Sequence, residues 1–514
     1  MKTAINYLTI AILQLLLAMT STGVFAATMS TCEKRLYVAP GARNVVSTTS
    51  ENYSIRNLAP SFFGFNLEWV DFQQDLWDPK MLQVKSEVID RLKPFGGAVY
   101  RYPGGTGSNH LNWRDTVGDQ ISRPIKKRVD WLNPISPQFG FDEYLTFIEQ
   151  VNGSAWAVLN INGGYDAESD ISVMAASAAD WVEYAALRHT AGKPEILRWE
   201  LGNELDRYKW PPKKYIDRAG FVSAQILKSQ KNISFVGLLQ DWPAHKSFTT
   251  SEYNSLLMTQ LNPGVKEFAH HLYYEEEKWG SVFERLSYVC KSVSDAKLSG
   301  VQQPKFWITE HTRGLPGSEN FDNWKRNWPK TSNLEAAIVV AESYIASTQF
   351  PEISGLFLHS LGTAHGPWPL LNADQTGKLH PSAVYWALRI LRDSMLPNAL
   401  ASEVESRNDE NSIAGYDVRA AILTDSKSQQ YAVWAVNRHK RATKLILKIP
   451  SLSGRNFSAS FTFISDKNKE ANNYLLAQNI LPKKIKKNIV FNATGLAEVE
   501  LPAYSVNTIQ INVK

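Results

Sequence analysis

Between residues 60 and 395, short apolar runs alternate with amphipathic helical segments, and this alternation limits the available folds more than any other feature of the chain. The strand-like runs cover 62–69, 98–102, 156–161, 196–201, 233–239, 267–272, 305–309 and 353–359. Helical periodicity fills 79–92, 141–151, 172–188, 212–230, 281–293 and 334–348, with a last segment at 381–392 that begins with Pro381. A helix between successive strands returns the chain to the same end of the sheet, so neighbouring strands run parallel. Eight such units are the count that closes a (β/α)8 TIM barrel, the α/β fold expected here; a doubly wound open sheet is the alternative.

After residue 396 the pattern changes. Runs at 413–423, 430–437, 445–449, 458–464, 489–491, 497–501 and 506–513 are short, partly alternating and have no helix between them. They predict a C-terminal antiparallel β-sandwich domain. The stretch Pro482-Lys483-Lys484-Ile485-Lys486-Lys487 reads as a solvated loop, with contact to a polyanion as the lesser reading. A chain of 514 residues exceeds one ordinary core. The expected division is a barrel over 56–395 and a sandwich over 396–514. Segment 27–55 has no barrel role, and 35–38 and 44–47 are candidates to add strands to the sandwich.

The first 26 residues have the form of a secretory signal peptide: Lys2, an apolar run over 7–19, and Val24-Phe25-Ala26 before Ala27. That run is too short for a comfortable membrane span, and no later stretch is longer, so the expectation is a secreted or periplasmic protein without stable membrane insertion. Cys32 and Cys290 are the two cysteines; the sequence leaves open whether they pair. No spaced Cys/His cluster is present, so no metal is expected. The net charge of +5 is small for this length and does not suggest nucleic acid.

In a barrel, catalytic groups sit at the C-terminal ends of the strands. The polar residues expected there are Asn66 and Glu68, Arg101, Asn160 and Asn162, Asn203 and Glu204, His270, His271 and Tyr273, Glu310 and His311, and His359. Two of these end apolar runs in a carboxylate: Trp199-Glu200-Leu201-Gly202-Asn203-Glu204 and Trp307-Ile308-Thr309-Glu310. Two carboxylates facing one cleft are what a retaining glycoside hydrolase requires, one to protonate the leaving oxygen and one to attack the anomeric carbon. The amide of Asn203 is placed to bind the hydroxyl beside the anomeric carbon, which marks Glu204 as acid/base and Glu310 as nucleophile. Glu200 is the alternative acid. Arg101 is the candidate cation for keeping Glu310 ionised, or else the partner of a barrel acid. Of His270 and His271, one must face away from the site. The stretches 206–214, 311–313 and 324–328 mix cations with Trp210, Trp324 and Trp328, a rim suited to an extended or acidic polysaccharide; an ordinary solvated loop is the alternative. Double displacement needs no cofactor.

The strings Arg101-Tyr102-Pro103-Gly104-Gly105, Asn112-Trp113-Arg114-Asp115, Phe141-Asp142-Glu143-Tyr144, Val158-Leu159-Asn160-Ile161-Asn162 and Ala179-Asp180-Trp181-Val182-Glu183-Tyr184, together with the Glu204 run, resemble the family 51 α-L-arabinofuranosidases. Phe63-Gly64-Phe65-Asn66-Leu67-Glu68 and His270-His271-Leu272-Tyr273 are similar to the heparanase-like family 79 glucuronidases of the same clan. The likeness runs over about 55–440. It implies a retaining hydrolase with a barrel and a β-sandwich, with Glu204 as acid/base, Glu310 as nucleophile, and Glu68, Asn160 and Asn203 contacting the sugar. Arg101, His271, Tyr273 and His359 complete the expected substrate contacts. Leu205 stands where arabinofuranosidases usually have Pro, and Thr309-Glu310-His311 where they have Asp-Glu-Trp, so the subsite around the nucleophile is expected to differ. The readings that follow are an arabinofuranosidase-like hydrolase, a heparanase-like enzyme acting on an acidic polysaccharide, and an inactive carbohydrate-binding barrel.

Overall fold

The computed structural model describes residues 29–48, 54–125, 136–163, 168–241, 247–261, 264–276, 279–315, 321–362, 366–374, 376–473 and 479–513. The expected signal peptide lies outside them. Eight parallel strands close into a barrel: Phe63–Asn66 (β1), Val99–Tyr102 (β2), Ser154–Leu159 (β3), Ile196–Leu201 (β4), Phe235–Leu238 (β5), Glu267–Tyr274 (β6), Lys305–Arg313 (β7) and Ile353–Leu358 (β8). Pairing is sequential around the ring and closes where Leu356 of β8 meets Phe63 of β1. Strands buried on both faces explain why the runs read as continuous apolar stretches rather than alternating ones. The rings of Trp156, Trp307 and Phe357 meet edge to face inside the barrel, with centroids 5.0 to 5.8 Å apart. Gly64 makes room for them, since a Cβ there would stand 2.0 Å from the Phe357 ring.

The surrounding helices include Phe141–Val151, Ile171–Thr190, Pro212–Ile226, Val282–Leu298, Leu334–Ser347 and Ala383–Asp393, close to the expected segments. Two places differ. The helix expected over 79–92 begins only at Ser86, and a small Trp77–Asp78/Gln83–Val84 hairpin precedes it. The Asp78 carboxylate accepts from the backbone N–H groups of Lys80 and Met81, which favours a turn over a helical start. A further helix, Thr250–Leu261, was not expected, although Thr249 and Glu252 form the reciprocal cap that marks such a start. Among the described residues, no helix is long and apolar enough to cross a membrane.

A seven-stranded and a five-stranded sheet face each other beside the barrel. The N-terminal segment feeds both: Val38–Pro40 and Asn44–Thr48 join the five-stranded sheet, and Ser54–Asn57 edges the larger one. The pairings of Val38–Pro40 with Ser402–Ser406 and of Asn44–Thr48 with Thr443–Lys448 are parallel, so that sheet is mixed rather than purely antiparallel. The strand expected at 35–38 starts only at Val38; Thr31–Leu36 is a helix held by a Ser30–Glu33 capping box. Its Cys32 is disulfide-bonded to Cys290 on the Val282–Leu298 helix. The lysine run is also corrected. Lys483–Val490 is an edge strand paired antiparallel with Asn456–Ser465, and it reads as a loop because only Ile489 along it is buried.

Candidate active site

Period-two alternation along β7 points Trp307 and Thr309 inward and would turn Glu310 outward. The register between β6 and β7 instead slips by one residue, so that Ile308 lies opposite His270 and Glu310 opposite His271. Thr309 still reaches inward to Glu200 and His271, and the bulge re-aims Glu310 into the same mouth. There Glu310 Oε1 accepts from Arg101 at 3.0 Å, and Oε2 accepts from the Tyr273 hydroxyl at 3.1 Å. Burial pushes the Glu310 carboxyl up, but the positive charge of His271, Arg101 and Arg207 outweighs it and holds the group well below the usual carboxylate range. Burial and the two glutamates keep the Tyr273 phenol protonated, so it acts as a donor.

Arg101 has no exposed surface. Its Nε and Nη2 grip Glu200 at 2.7 and 3.0 Å, Nη1 serves Asn66 and Glu310, and Nη2 also serves Asn203 Oδ1 at 2.7 Å. Both expected roles are therefore met in one side chain, as cation for Glu310 and as partner of a barrel acid. Contact with sugar, also expected of it, is closed off. Glu200 is corrected likewise: fully buried and bonded to Arg101, Trp156 and Thr309, it is not available as an acid.

Glu204 follows Gly202 and Asn203 at the end of β4, in a left-handed backbone conformation with φ 46°. Its Oε1 accepts from His271 Nδ1 at 2.8 Å and from Arg207 at 2.9 Å, which leaves Oε2 for a leaving group. His271 Nδ1 lies 3.5 Å from Glu310 Oε2, so one imidazole edge bridges the two glutamates, while its Nε2 meets Thr309 Oγ1. Burial draws the His271 pKa down, but Glu310 and Glu204 prevail and raise it. Oxygens of Glu204 and Glu310 come within 4.8 Å of each other. That approach suits the nucleophile and acid/base of a retaining enzyme, whose carboxyl groups stand about 5 to 5.5 Å apart, better than the wider pair of an inverting one.

Asn203 is buried, and its amide nitrogen has no hydrogen-bond partner. Such a donor at the cleft is costly unless a ligand accepts from it. Glu68 approaches Gly105 so closely that a Cβ there would fall 1.4 Å from its Oε1. Asn66 donates to Glu68 at 3.3 Å and to His359 Nδ1 at 3.0 Å, and burial pushes the His359 pKa down, which fits a neutral ring accepting that bond. Asn160 behaves differently from expectation. Its amide donates to Leu111 and Gly163 carbonyls and accepts from the N–H groups of Asn162 and Gly163, so it shapes its own loop. His270 faces outward to Asp241 and Ser292. These three have the connectivity of a Ser–His–Asp triad, but the serine is buried behind the barrel wall, and Asp241 also accepts from the His271 N–H. The group is a strut for β6.

Sequence reasoning missed an aromatic wall. Tyr273 lies 6.1 Å from Trp279 and 5.6 Å from Trp368, and Trp368 lies 5.4 Å from His359, all between ring centroids. Trp368 comes from the connection after β8 and is fixed by Nε1 donating to the Arg313 carbonyl. Several expected rim residues are occupied: Trp210 is buried beneath Lys214, and Arg313 pairs with Glu335. Two triplets, Glu204–His271–Glu310 and Glu68–Glu310–His359, have chelate-like spacing. Arginine already contacts both Glu204 and Glu310, supplying at those carboxylates the positive charge that a cation would bring.

Two glutamates opposed across the mouth of a closed (β/α)8 barrel are the arrangement that the retaining glycoside hydrolases use as a class. More particularly, residues 91–288 match the family described as the alpha-L-arabinofuranosidase 1 domain. A probable alpha-L-arabinofuranosidase C of Aspergillus flavus is 28% identical over 205 residues, covering 37% of this chain and 40% of that protein. An intracellular exo-alpha-(1->5)-L-arabinofuranosidase of Streptomyces lividans is 25% identical, covering 37% and 30%. The chain thus matches about two fifths or less of the length of these curated relatives. An alpha-L-arabinofuranosidase of Thermotoga maritima, solved with arabinose, superposes with a TM-score of 0.73 over 91% of this chain and 99% of its own, at 16% identity. A family 51 enzyme of Bifidobacterium longum gives 0.74 over 91% and 99%, also at 16%. At that identity the structures speak for the fold. The expected resemblance to family 51 arabinofuranosidases therefore holds in sequence from β2 to β6 and in fold over most of the chain.

Proposed function

We propose that the chain is a retaining glycoside hydrolase of arabinofuranosidase type, acting on oligosaccharides or polysaccharides by double displacement. The observation that carries this reading is the bridged pair: Glu310, ionised by its cationic surroundings, within 4.8 Å of Glu204. Glu310 attacks the anomeric carbon while Glu204 Oε2 gives its proton to the leaving oxygen. Glu204 then takes a proton from the water that releases the glycosyl-enzyme. The free amide of Asn203 serves the sugar hydroxyl next to the reacting carbon, and the Tyr273–Trp279–Trp368 wall receives a ring face.

The test is kinetic. Glu310→Ala should lose turnover of aryl arabinofuranosides and regain it with azide as a glycosyl azide of inverted configuration, whereas Glu204→Ala should give a retained azide. The opposite stereochemistry would exchange the two roles, and a wild type inert on a broad aryl-glycoside panel would leave a carbohydrate-binding barrel.

A second reading, an acidic substrate, is favoured by Arg207. Its guanidinium is 48% exposed at the cleft and tied to Glu204, which must carry a proton to act as acid. A substrate carboxylate would take over the arginine at that step. Burial and Glu204 push neighbouring Asp206 up to about 7, which limits its competition for the arginine. Higher kcat/KM on a uronate-bearing leaving group, lost in Arg207→Gln, supports this reading; equal rates on neutral and acidic substrates remove it. Export through the 1–26 segment is likewise proposed. The Cys32–Cys290 bond supports it, because such bonds persist in oxidising compartments, and N-terminal sequencing of the mature protein tests it.

A further inference from the structure

The edge strand Lys483–Val490 carries Lys483, Lys484, Lys486 and Lys487, all exposed. Among the described residues, none of the four ammonium groups is within ion-pair distance of a carboxylate, although Lys444 and Lys469 elsewhere in the sandwich are paired. Across the ladder these lysines face Phe463, Thr462, Ser460 and Ala459, so no acid stands opposite them. Alternation splits the strand into two faces. Ile489 shares one face with Lys487, Ile485 and Lys483; it enters the sandwich core, while the other three stay exposed at the sheet edge, Lys487 with its Nζ 5.9 Å from the ring centroid of the core residue Phe461. Lys484 and Lys486 project from the other face, about 7 Å apart at two strand steps. There the rows continue inward as Lys486–Ser460–Gln510 and Lys484–Thr462–Thr508. Cations at the rim give way to hydroxyl and amide groups, without an aromatic or aliphatic protrusion on those rows.

We propose that this strip docks an anionic polysaccharide, independently of which glycosidic bond the barrel cleaves. Lysines at strand spacing match charges repeated along a linear polymer, and Thr462 and Gln510, both partly exposed beside them, offer donors and acceptors to its hydroxyls. A nucleic acid would gain from aromatic side chains on which bases stack, and the outer rows supply none; a lipid surface would gain from a contiguous apolar patch, whereas the exposed apolar residues of the strand, Val490 and Ile485, lie on opposite faces. Lysine on an edge strand also deters edge-to-edge pairing of sheets. The two roles separate by charge sign, because glutamate protects an edge as lysine does but repels a polyanion.

The experiment uses the full chain in affinity electrophoresis through gels containing polygalacturonate, at rising salt, with hydrolysis of a small aryl glycoside as the control for the cleft. Wild type should be retarded and released by salt. The quadruple Lys483→Glu, Lys484→Glu, Lys486→Glu, Lys487→Glu variant should bind at least tenfold more weakly, the corresponding Lys→Arg variant should bind as wild type, and all three should share one kcat/KM. If the quadruple variant unfolds by circular dichroism, Lys484→Glu with Lys486→Glu replaces it, with at least a threefold loss expected. Equal retardation of wild type and the charge-reversed variant overturns the proposal. So does a wild type that passes unretarded, or one that binds only vesicles of phosphatidylserine and phosphatidylcholine. A lysine-to-glutamine variant that aggregates while wild type fails to bind leaves edge protection as the sole role.

Discussion

Arg101 meets two demands that pull on one guanidinium: a buried carboxylate, Glu200, must be neutralised, and Glu310, the proposed nucleophile, must be kept ionised. The planar fork does both because its donors diverge, which a point charge on a flexible stem cannot copy. Arg101→Lys should therefore fold but leave part of Glu200 and the Asn203 carbonyl unsatisfied. A kcat loss of about 100-fold, with KM changed far less, is expected from steady-state kinetics, on the scale of removing a preorganised electrostatic contact. Tyr273→Phe deletes the donor to Glu310 Oε2. A bond to the charged form is lost, so the Glu310 pKa rises and the acid limb of the pH–rate profile should move to higher pH. An unmoved limb would show that the phenol has no hold on Glu310. Glu204 and Glu310 are legible in the sequence because each ends an apolar run with a carboxylate, a pattern with few purely structural causes. The Arg101–Glu200 pairing is not legible, since it depends on which residues of β2 and β4 reach the same depth inside a closed ring. Asn160 shows the converse: a strand-end amide of the right type consumed by its own loop.

The decisive element is β7. One extra residue between its pairings with β6 turns both Thr309 and Glu310 inward and sends His311 out against Tyr274, Tyr344 and Ser343. Nothing in Trp307-Ile308-Thr309-Glu310-His311 announces the bulge, because it is a property of two strands in register. Burial pushes the His311 pKa from 6.5 down to about 3. The unfolded chain binds a proton below its ordinary value while the folded one refuses it. Stability is thus full above pH 6.5, declines as pH falls through that window, and stops declining on this account below about 3. His311→Phe fills the aromatic slot without a titrating group, so its acid unfolding midpoint, followed by tryptophan fluorescence, should fall to lower pH; an unchanged midpoint would assign acid lability elsewhere. The connection after β8 is the other informative element. Trp368→Ala removes a ring from the wall but touches neither glutamate, so KM should rise, by roughly tenfold if about 1.4 kcal/mol of ring contact is lost, with kcat held within a few-fold. Its tryptophan was invisible beforehand because loop residues carry no periodicity to place them.

At the scale of the whole molecule, barrel and sandwich are joined by buried charge. Arg438, at the end of a sandwich strand, bonds Glu275 beyond β6 at 3.0 Å and Glu342 on the Leu334–Ser347 helix at 2.6 Å, and Tyr416 and Arg419 also engage Glu342. Removing the cation alone strands the Glu275 carboxylate in the junction and leaves Glu342 to Arg419 and Tyr416. Arg438→Met should lower stability by about 3–5 kcal/mol in denaturant titration, and adding Glu275→Gln should recover part of the loss. A near-neutral Arg438→Met would mean that water reaches the junction. The division into barrel and sandwich was legible from the change of pattern near residue 396, while the lysine edge strand was not, because neither face shows the alternation by which strands are recognised. The placement of the first strands has a consequence for how the chain assembles. Val38–Pro40 pairs with Val404–Ser406 and Asn44–Thr48 with Leu445–Lys448, partners made only after the entire barrel has been synthesised. The earliest residues of the sandwich therefore wait without a sheet while eight barrel strands emerge. Barrel closure can run ahead of sandwich completion, but not the reverse, and a nascent chain halted near residue 395 would hold a closed ring with the sandwich-facing side of its Leu334–Ser347 helix still bare.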